Sequence, residues 1–364
     1  MSAPVWPFDL HPALVTGAAA LVLVYAAVGV VRAYALHRGV LDLPTARGSH
    51  TRPTPRGGGL GLVAGVLAAA VPALAHAGVP GTPLVAAVLA VLLVAAVGWV
   101  DDHRGAGVGA RLAIHAAAAA LVAGLAFAAA ARGAAIWAHA DGVVVRGAGS
   151  AAVVGACAWW AFWTVSAINV VNFMDGIDGI IGAQLAVFGL YAVTIGGPPA
   201  APPVLLGSAL CAGAVGFLAW NWSPARIFLG DVGSGAAGVL VVVLGLTMVV
   251  WADVSVPRAF LPLYPLFLDA AVTLVRRRRS GERITTPHRS HLYQRLANGP
   301  WSHARTAAVY AAAAGVGALV GWIGGRAPLV IGATLALAYV AAVPALGRLL
   351  ERRAPWHAPR LAAG

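Results

Sequence analysis

The sequence predicts an all-α integral membrane protein, a polytopic bundle of about eleven transmembrane helices. Hydrophobic residues make up 60% of its 364 residues and charged residues only 10%, and the mean hydropathy is +0.84. These values exclude a water-soluble globule and a disordered chain, because both need far more polar surface. Both cysteines, Cys157 and Cys211, lie in apolar stretches, which excludes a disulfide framework.

Apolar segments of about 20 residues, the length that crosses a bilayer as a helix, follow one another along the chain. Turns rich in proline and glycine near residues 196–203 and 324–328 are predicted tight hairpins, and ten spans is the alternative count. All 364 residues are assigned to a single transmembrane domain. The expected spans lie near residues 13–36, 58–76, 83–100, 112–131, 151–171, 179–196, 203–220, 235–251, 258–275, 306–323 and 327–347.

The arginines predict the orientation of the bundle. All 24 basic residues are arginine, and the net charge is +12. Positive charge accumulates in cytoplasmic loops, and an outside N-terminus with a cytoplasmic C-terminus puts nearly all arginines in or beside such loops. No hydrophilic basic domain exists that would hold a duplex, so a nucleic-acid partner is excluded. The exceptions to the charge rule are Arg132, Arg146, Arg258 and Arg326.

Several of the 12 acidic residues lie where spans meet the predicted cytoplasmic loops. Taken singly, each is equally well explained as a solvated helix end. Together, facing arginine-rich loops, they are typical of a site that binds Mg²⁺ and a polyphosphate. They are Asp101, Asp102, Asp175, Asp178 and Asp231.

Two of these junctions carry paired carboxylates. Asp101 and Asp102 end the third span, and because adjacent carboxylates repel, one is suited to accept a proton while its neighbour stays ionised near a cation. In the run Asn172-Phe-Met-Asp175-Gly-Ile-Asp178-Gly, the two carboxylates are expected to share one helix face. Chance rarely assembles such a run in an apolar protein, so this motif is specific.

The third junction, Phe228-Leu-Gly-Asp231, runs into Gly233-x-Gly235-x-x-Gly238. This spacing matches a dinucleotide-binding fingerprint, but that motif needs a preceding strand and a βαβ unit, and here the run enters a span. We interpret the glycines as helix-packing positions. A helix N-terminus favours phosphate, and Asp231 is a candidate ligand of its metal.

Two basic loops complete the candidate site. The first contains Pro-Thr-Pro-Arg56-Gly-Gly-Gly, whose prolines and glycines predict a shaped loop. In the second, the four arginines at 276–279 are predicted to bind anionic lipid. His288, Arg289 and His291 are predicted to bind an anion, because His-x-x-His without a third ligand suits zinc poorly.

Asp269, inside the ninth span, fits two descriptions equally well. It is either a packed polar residue or a component of the site.

The chain resembles the polyprenyl-phosphate N-acetylhexosamine-1-phosphate transferases (glycosyltransferase family 4) in an ordered set of motifs. The resemblance covers residues of about 40–296, taken as the catalytic bundle, and its motifs are Pro-Thr-Pro-Arg-Gly-Gly-Gly, Asp101-Asp102, Asn172-Phe-Met-Asp-Gly-Ile-Asp-Gly, Phe228-Leu-Gly-Asp231 and His288-Arg-Ser-His291. Its cytoplasmic loops are expected at 37–57, 101–111, 172–178, 221–234 and 276–305.

The sequence departs from the family pattern in two places. Family members often carry Asp or Lys where this chain has Gly105, so no role of that side chain is carried over. The last motif reads His-Arg-Ser-His instead of a run of histidines. It is therefore closer to the enzymes that initiate O-antigen and exopolysaccharide than to the translocase that makes lipid I.

The resemblance implies transfer of a sugar 1-phosphate from a UDP-N-acetylhexosamine to undecaprenyl or a similar polyprenyl phosphate. The products are polyprenyl-diphospho-sugar and UMP, in the first membrane step of cell-surface polysaccharide synthesis, such as the O-antigen of lipopolysaccharide. The implied location is the bilayer of a bacterial inner membrane, with the site on the cytoplasmic face. Family enzymes often dimerise, so the resemblance allows a homodimer, but no stretch of the sequence specifies an interface.

The resemblance also implies roles for the motif residues. As a hypothesis, Asp231 with Asn172 holds Mg²⁺, for which Mn²⁺ is the expected substitute. Asp101 or Asp102 deprotonates or orients the lipid phosphate, and a covalent aspartyl intermediate is the alternative mechanism. The remaining substrate-binding candidates are Asp175, with Asp178 and Phe228 for the uridine, and His288, Arg289, His291 and Arg56 for phosphate charge.

A polytopic secondary transporter is the alternative function. Its charges are expected mid-span at positions related by an internal repeat, whereas here they lie at one face. A transferase with a lipid-linked donor would hold its acids in large external loops. A CDP-alcohol phosphotransferase would follow Asp-Gly with Ala-Arg, which Asp175-Gly-Ile-Asp does not supply. The sequence leaves open the sugar, the polyprenyl chain length and the polysaccharide.

Overall fold

The computed structural model describes residues 11–44, 52–138, 144–145, 151–283, 288–299 and 301–324, with a few positions between 337 and 349. Over these residues the chain is helical, apart from loops and two short strand pairs. The helices are α1 (Pro12–Arg38), α2 (Gly59–His76), α3 (Gly81–Arg104), α4 (Val108–Ala131), α5 (Ala151–Met174), α6 (Ile180–Ile195), α7 (Pro202–Asn221), α8 (Asp231–Ala252), α9 (Val256–Ala259), α10 (Tyr264–Arg279), α11 (Leu292–Ala297) and α12 (His303–Gly324).

Eight helices of the described part are long and apolar enough to cross a membrane, so the protein is a multi-pass membrane protein. They are α1 to α5, α7, α8 and α12, while α6 is apolar but has only 16 residues. The predicted all-α class is confirmed, and each predicted span up to residue 323 falls on helical structure. The last predicted span, 327–347, lies almost wholly outside the described residues. The count of eleven spans and the orientation remain predictions.

The predicted ninth span, 258–275, is not one continuous helix. It is divided into α9, a 3₁₀ turn at Leu261–Leu263, and α10. Pro257, Pro262 and Pro265 each lie at the second position of one of these elements. Proline lacks the N–H that a helix interior needs but is tolerated in the first turn of a helix. The three prolines therefore divide the predicted span into three helical elements, each with a proline in its first turn.

The prediction that Asp175 and Asp178 share a helix face is wrong. α5 ends at Met174 and α6 begins at Ile180, so both carboxylates lie in the turn between the two helices. Gly179 closes this turn with φ of 77°, in the left-handed region that favours glycine. The carboxylates are therefore presented by a turn whose shape is fixed by glycine.

α8 is the central helix, and every residue from Val232 to Leu246 is buried. The glycines near its start let other helices approach closely. A Cβ on Gly233 would lie 2.5 Å from Cα of Gly59, and one on Gly238 would lie 2.6 Å from Cα of Ile168. No strand occurs among the described residues directly before α8. The helix-packing interpretation of these glycines is confirmed.

A short antiparallel strand pair, β1 (Leu41–Asp42) with β2 (Thr54–Pro55), closes the first loop. The chain after β2 then pairs with the segment before α8. Phe228 N–H donates to the Pro55 carbonyl and Gly58 N–H donates to the Phe228 carbonyl, each at 2.8 Å. These backbone bonds hold Arg56 beside the first residue of α8. A second pair, β3 (Trp137–Ala138) with β4 (Val144–Val145), lies between α4 and α5.

A substitution at Gly98 tests the close contact between α3 and α8. A Cβ at this position would lie 2.3 Å from the carbonyl oxygen of Asp231. Gly98→Ala is therefore expected to push the two helices apart and to lower stability by about 1–3 kcal/mol, measured by thermal unfolding in detergent. The matched control is Gly109→Ala in α4, because nothing lies within 4 Å of a Cβ there. Equal melting temperatures for the two variants would contradict this packing.

Candidate active site

The loops at one end of the bundle enclose a polar cavity of about 290 Å³. Its walls come from the first loop, the turn after α5, the segment before α8 and the loop after α10. Seven of the predicted site residues line it: Arg56, Asn172, Asp175, Asp178, Phe228, Asp231 and Arg289. The structure thus brings together residues that are far apart in the sequence.

Asp102 and Arg56 fix the N-terminus of α8. The two carboxylate oxygens of Asp102 accept the N–H groups of Asp231 at 3.0 Å and Val232 at 3.1 Å. Arg56 Nε lies 2.7 Å from Asp102, and its Nη2 lies 3.3 Å from the Asp231 carboxylate. The first N–H groups of a helix have no partner within the helix, so a carboxylate caps them strongly. With its side chain only 1% exposed, Asp102 is fully engaged in this cap.

Asn172 and Asp231 form the centre of the site. The side-chain amide of Asn172 donates to Asp231 Oδ1 at 2.8 Å and to the Ser234 hydroxyl at 2.9 Å. The Asp101 carboxyl also interacts directly with that of Asp231. Carboxylates this close repel one another unless a proton or a cation lies between them. The centre of the site is therefore suited to a bound cation.

A second, largely apolar cavity of about 700 Å³ adjoins the polar one. Asp101 lies on its wall, where its oxygens accept the Ala106 N–H at 2.6 Å and Arg111 Nη1 at 2.9 Å. Asn172 and Asp231 line both cavities, which therefore meet at the centre of the site. The apolar wall comes from α3, α4, α5 and α10, with Val94, Val97, Val108, Leu112, Ile168 and Leu274.

The two carboxyl groups of the turn after α5 have different proton affinities. Burial, and then the charge of Asp231, raise the pKa of Asp175 to about 8. Burial also favours the neutral form of Asp178, but hydrogen bonds from His303 and from the Ala225 N–H outweigh it and hold the Asp178 pKa below its usual value. At neutral pH, Asp175 is mostly protonated and Asp178 is ionised. The turn thus offers one hydrogen-bond donor and one acceptor.

Asp269 anchors the loop that carries the last motif. Its carboxylate accepts the N–H groups of Leu292 at 2.8 Å and Tyr293 at 3.1 Å, and the hydroxyl of Tyr310 at 2.6 Å. Tyr293 in turn donates its hydroxyl to the Phe173 carbonyl at 2.9 Å. The structure shows that Asp269 is a packed polar residue, the first of the two alternatives that the sequence allowed. Its bonds to the loop after α10 connect it to the site.

The residues of the last motif do not all enter the same cavity. Arg289 lines the polar cavity, whereas His288 and His291 line the apolar one. Burial, followed by the charges of His291 and Arg277, lowers the pKa of His288 to about 4. His288 is therefore neutral at neutral pH and available for a hydrogen bond, but not for charge neutralisation. His291 is 3% exposed and lies 3.8 Å from Asp269.

The donor set at the centre of the site fits Mg²⁺. The described residues include no group of three His, Cys, Asp or Glu side chains that would hold an ion alone. Mg²⁺ is usually held by one or two carboxylates, waters and substrate phosphates, so such a group is not required. Asp231, with the amide oxygen of Asn172, supplies the oxygen ligands that Mg²⁺ prefers. The nearby Asp101 carboxylate adds negative charge.

Several cavity residues lie outside the predicted set. Asn221 accepts the Gly179 N–H at 3.0 Å and donates to the Ile227 carbonyl at 2.9 Å, which joins the turn after α5 to the segment before α8. His303 lies beyond residue 296, where the predicted catalytic bundle ends. A lone Asn or His beside an apolar span gives no sequence signal of its own. The additional lining residues are Asp42, Asn221, Gln294, Asn298 and His303.

Comparison with known proteins finds one matching family and several relatives. Residues 84–249 match the model of the family described as glycosyl transferase family 4. The decaprenyl-phosphate N-acetylglucosaminephosphotransferase of Mycolicibacterium smegmatis is 29% identical, over 81% of this chain and 78% of the relative. The protein of that name from Mycobacterium tuberculosis H37Rv is 27% identical over the same shares.

A third relative matches a shorter stretch. The probable undecaprenyl-phosphate N-acetylglucosaminyl 1-phosphate transferase of Bacillus subtilis is 30% identical over 34% of this chain and 36% of its own length. Fold, site and relatives together define a multi-pass membrane transferase. The family model and the relatives confirm the resemblance to glycosyl transferase family 4, the polyprenyl-phosphate N-acetylhexosamine-1-phosphate transferases, that the motifs indicated.

Tyr310→Phe tests the anchor of the last loop. The substitution leaves the buried Asp269 carboxylate without one of its donors, so stability is expected to fall by about 1–3 kcal/mol. Trypsin cleavage at the arginines of the loop after α10 is expected to become faster. Tyr264→Phe is the control, because it removes a hydroxyl bond to the Pro257 carbonyl at the other end of α10. Unchanged cleavage in Tyr310→Phe would show that the loop is held by other contacts.

Proposed function

We propose that this protein transfers N-acetylhexosamine 1-phosphate from a UDP-sugar to undecaprenyl or decaprenyl phosphate and releases UMP. The observation that carries the proposal is the meeting of a polar and an apolar cavity at Asn172 and Asp231. A water-soluble donor and a lipid acceptor need two such chambers, with their phosphates brought together where the chambers join. The names of the relatives support both the sugar class and the polyprenyl acceptor.

The apolar cavity suits the polyprenyl phosphate. Its valine and leucine walls match an isoprenoid chain, which gains by leaving water. Arg111 lies at the same cavity, where a guanidinium pairs well with a phosphate. Asp101 is held 2.9 Å from Arg111, so a lipid phosphate at this arginine lies beside the Asp101 carboxylate. Asp101 then accepts the proton of the lipid phosphate or orients its attacking oxygen.

The polar cavity suits the nucleotide donor. Arg56 and Arg289 supply positive charge for a diphosphate, and Phe228 offers an aromatic ring to a base. Asp178 is ionised and therefore only accepts hydrogen bonds, which matches the N3–H donor of uracil. These residues support a uridine diphosphate donor.

The reaction is one phosphoryl transfer. An oxygen of the lipid phosphate forms a bond to the sugar-linked phosphorus, and the bond from that phosphorus to the bridging oxygen of UMP breaks. UMP leaves with the electron pair of that bond. The protein's contribution is to align the two phosphates and to neutralise their charge. When bound at Asp231 and Asn172, Mg²⁺, or Mn²⁺ in its place, supplies charge neutralisation for the pyrophosphate.

Asp101 and Asp102 have different parts in this proposal. Asp102 is buried in the cap of α8 and paired with Arg56, so its part is to hold Asp231 and Arg56 in place. Asp101 lines the apolar cavity and interacts with Asp231. Of the two carboxylates, Asp101 is the one that meets the lipid phosphate.

Several features support a site on the cytoplasmic face of a bacterial inner membrane. The helix ends that form the site also carry the arginine-rich segments, including Arg276–Arg279 at the end of α10. Cytoplasmic ends of spans carry such charge. A transporter, the alternative function, would place its charges near the middle of its spans, whereas here the acidic pairs lie at helix ends.

Substitution of the two central carboxylates tests the proposal. Asp231→Ala is expected to abolish Mg²⁺-dependent UMP release, because it removes the main oxygen ligand. Asp101→Asn is expected to lower the rate about 10²- to 10⁴-fold, the usual contribution of a positioned proton acceptor. The measurement is UMP release by detergent-purified protein with undecaprenyl phosphate and a panel of UDP-N-acetylhexosamines.

Asp253→Asn is the control for these substitutions. Asp253 follows the last residue of α8, at the opposite end of the helix from Asp231, and asparagine tolerates its φ of 49°. Full activity is expected from this variant. No UMP release from folded wild-type protein with any donor would refute the proposed reaction and favour transport.

Leu112→Trp tests the apolar cavity as the lipid site. Leu112 lines this cavity and is 54% exposed, so a tryptophan there is expected to narrow the cavity without disturbing the core. The KM for polyprenyl phosphate is expected to rise severalfold while the affinity for UDP is unchanged. Leu92→Trp is the control, because Leu92 is 46% exposed on α3 and does not line the cavity. A rise in KM in both variants, or in neither, would place the lipid elsewhere.

A further inference from the structure

α12 contributes one side chain to the polar cavity, although no motif lies on this helix. His303, its first residue, lines the cavity together with Asp178. Its Nδ1 accepts the Asp178 backbone N–H at 3.5 Å and lies 3.4 Å from Asp178 Oδ2. The side chains of His303 and Asp178 are 14% and 10% exposed. The two groups therefore face each other with little competing water.

Two parts of the chain contact the Asp178 carboxylate: the segment after α7, through Ser223 and Ala225, and α12, through His303. The Ala225 N–H donates to Oδ2 at 3.1 Å, the same oxygen that faces His303. The next residue, Gly179, is held through its N–H by Asn221 at 3.0 Å. The backbone of the turn is thus fixed by α7, and the carboxylate is fixed between the Ala225 amide and the imidazole of α12. Without His303, Asp178 Oδ2 keeps the Ala225 N–H but loses the imidazole beside it.

The orientation of an ionised carboxylate decides which base it accepts. Uracil presents an N3–H donor, whereas N3 of cytosine is an acceptor and repels a carboxylate. Recognition sites that hydrogen-bond a substrate group discriminate strongly against analogues that lack it. We propose that His303 is a positioning residue that aims Asp178 at the base of the donor nucleotide and so sets its preference for uracil over cytosine. This inference rests on the proposed function, in particular on a uridine donor.

α12 has other attachments, so a variant of His303 is expected to fold. Tyr310 bonds to Asp269 at 2.6 Å, and Arg258 Nε donates to the Gly321 carbonyl at 2.7 Å near the far end of the helix. Apolar packing of α12 against α6 adds to these contacts. The loss of His303 alone therefore leaves the helix docked.

The experiment compares nucleotide selectivity and kinetics in the full-length protein. Competition of UDP and CDP against the UDP-sugar is measured for wild type, His303→Ala, His303→Gln and Asp178→Asn. In His303→Ala, the KM for the donor is expected to rise about tenfold with kcat nearly unchanged, and the UDP over CDP preference to fall by a similar factor. His303→Gln, whose side-chain amide can both donate and accept a hydrogen bond, is expected to recover part of the preference.

Two further comparisons separate positioning from a general structural effect. Arg305→Ala, an exposed residue two positions along α12 that stacks on Trp301, is expected to behave as wild type. Because His303 acts through Asp178, the double variant His303→Ala with Asp178→Asn is expected to show no greater loss of preference than Asp178→Asn alone. Additive losses, or an unchanged preference in His303→Ala, would overturn the inference.

The outcomes distinguish this inference from the proposed function. If wild-type protein turns over a UDP-sugar and His303→Ala keeps its donor KM and base preference, the inference fails and the proposed function stands. A fall in kcat together with a lowered melting temperature, at constant preference, also overturns it. If folded wild-type protein binds neither UDP nor CDP, the uridine donor is wrong and the inference falls with it.

Discussion

The cap that Asp102 places on α8, with Arg56 as its counter-ion, is the interaction on which the site depends. It fixes the first residue of the central helix, and with it the Asp231 carboxylate that lies between the two cavities. Arg56 also ties the first loop to the same point. Loss of Arg56 would leave Asp102 buried without its counter-ion, which typically costs about 3–5 kcal/mol. The ion pair between Arg56 and Asp102 is therefore primarily structural, and it affects the chemistry through the position of Asp231.

The sequence alone predicts the fold class and most of the residues that line the polar cavity, and the reason is physical. An apolar chain has few polar residues, so those it keeps are concentrated where they act, and Asp101, Asn172 and Asp231 stand out. Spacing along the chain says less about geometry. Because α5 ends at Met174, the Asp175 and Asp178 carboxylates lie in a turn. The prediction from their spacing of three residues assumed that the helix continued.

Contacts between distant segments are what the sequence does not reveal. The different surroundings of Asp101 and Asp102 depend on bonds to Arg111 and to the N-terminus of α8, and only the folded bundle brings these groups together. For the same reason the sequence leaves the role of Asp269 open and gives no signal for His303. Each is a single polar residue in or beside an apolar helix, and its partners come from other parts of the chain.

The same contacts favour direct displacement over a covalent aspartyl intermediate. Asp102 is 1% exposed and bound in the cap of α8, so it does not reach a phosphorus atom. Asp101 is paired with Arg111, which lowers its nucleophilicity but leaves lone pairs that can accept a proton. Burial, and then the charge of Asp231, raise the pKa of Asp175 and so favour its neutral form, which is a poor nucleophile. Asp231 is engaged by Asn172 and Arg56. In the proposed reaction the lipid phosphate brings its own attacking oxygen, so no protein nucleophile is required.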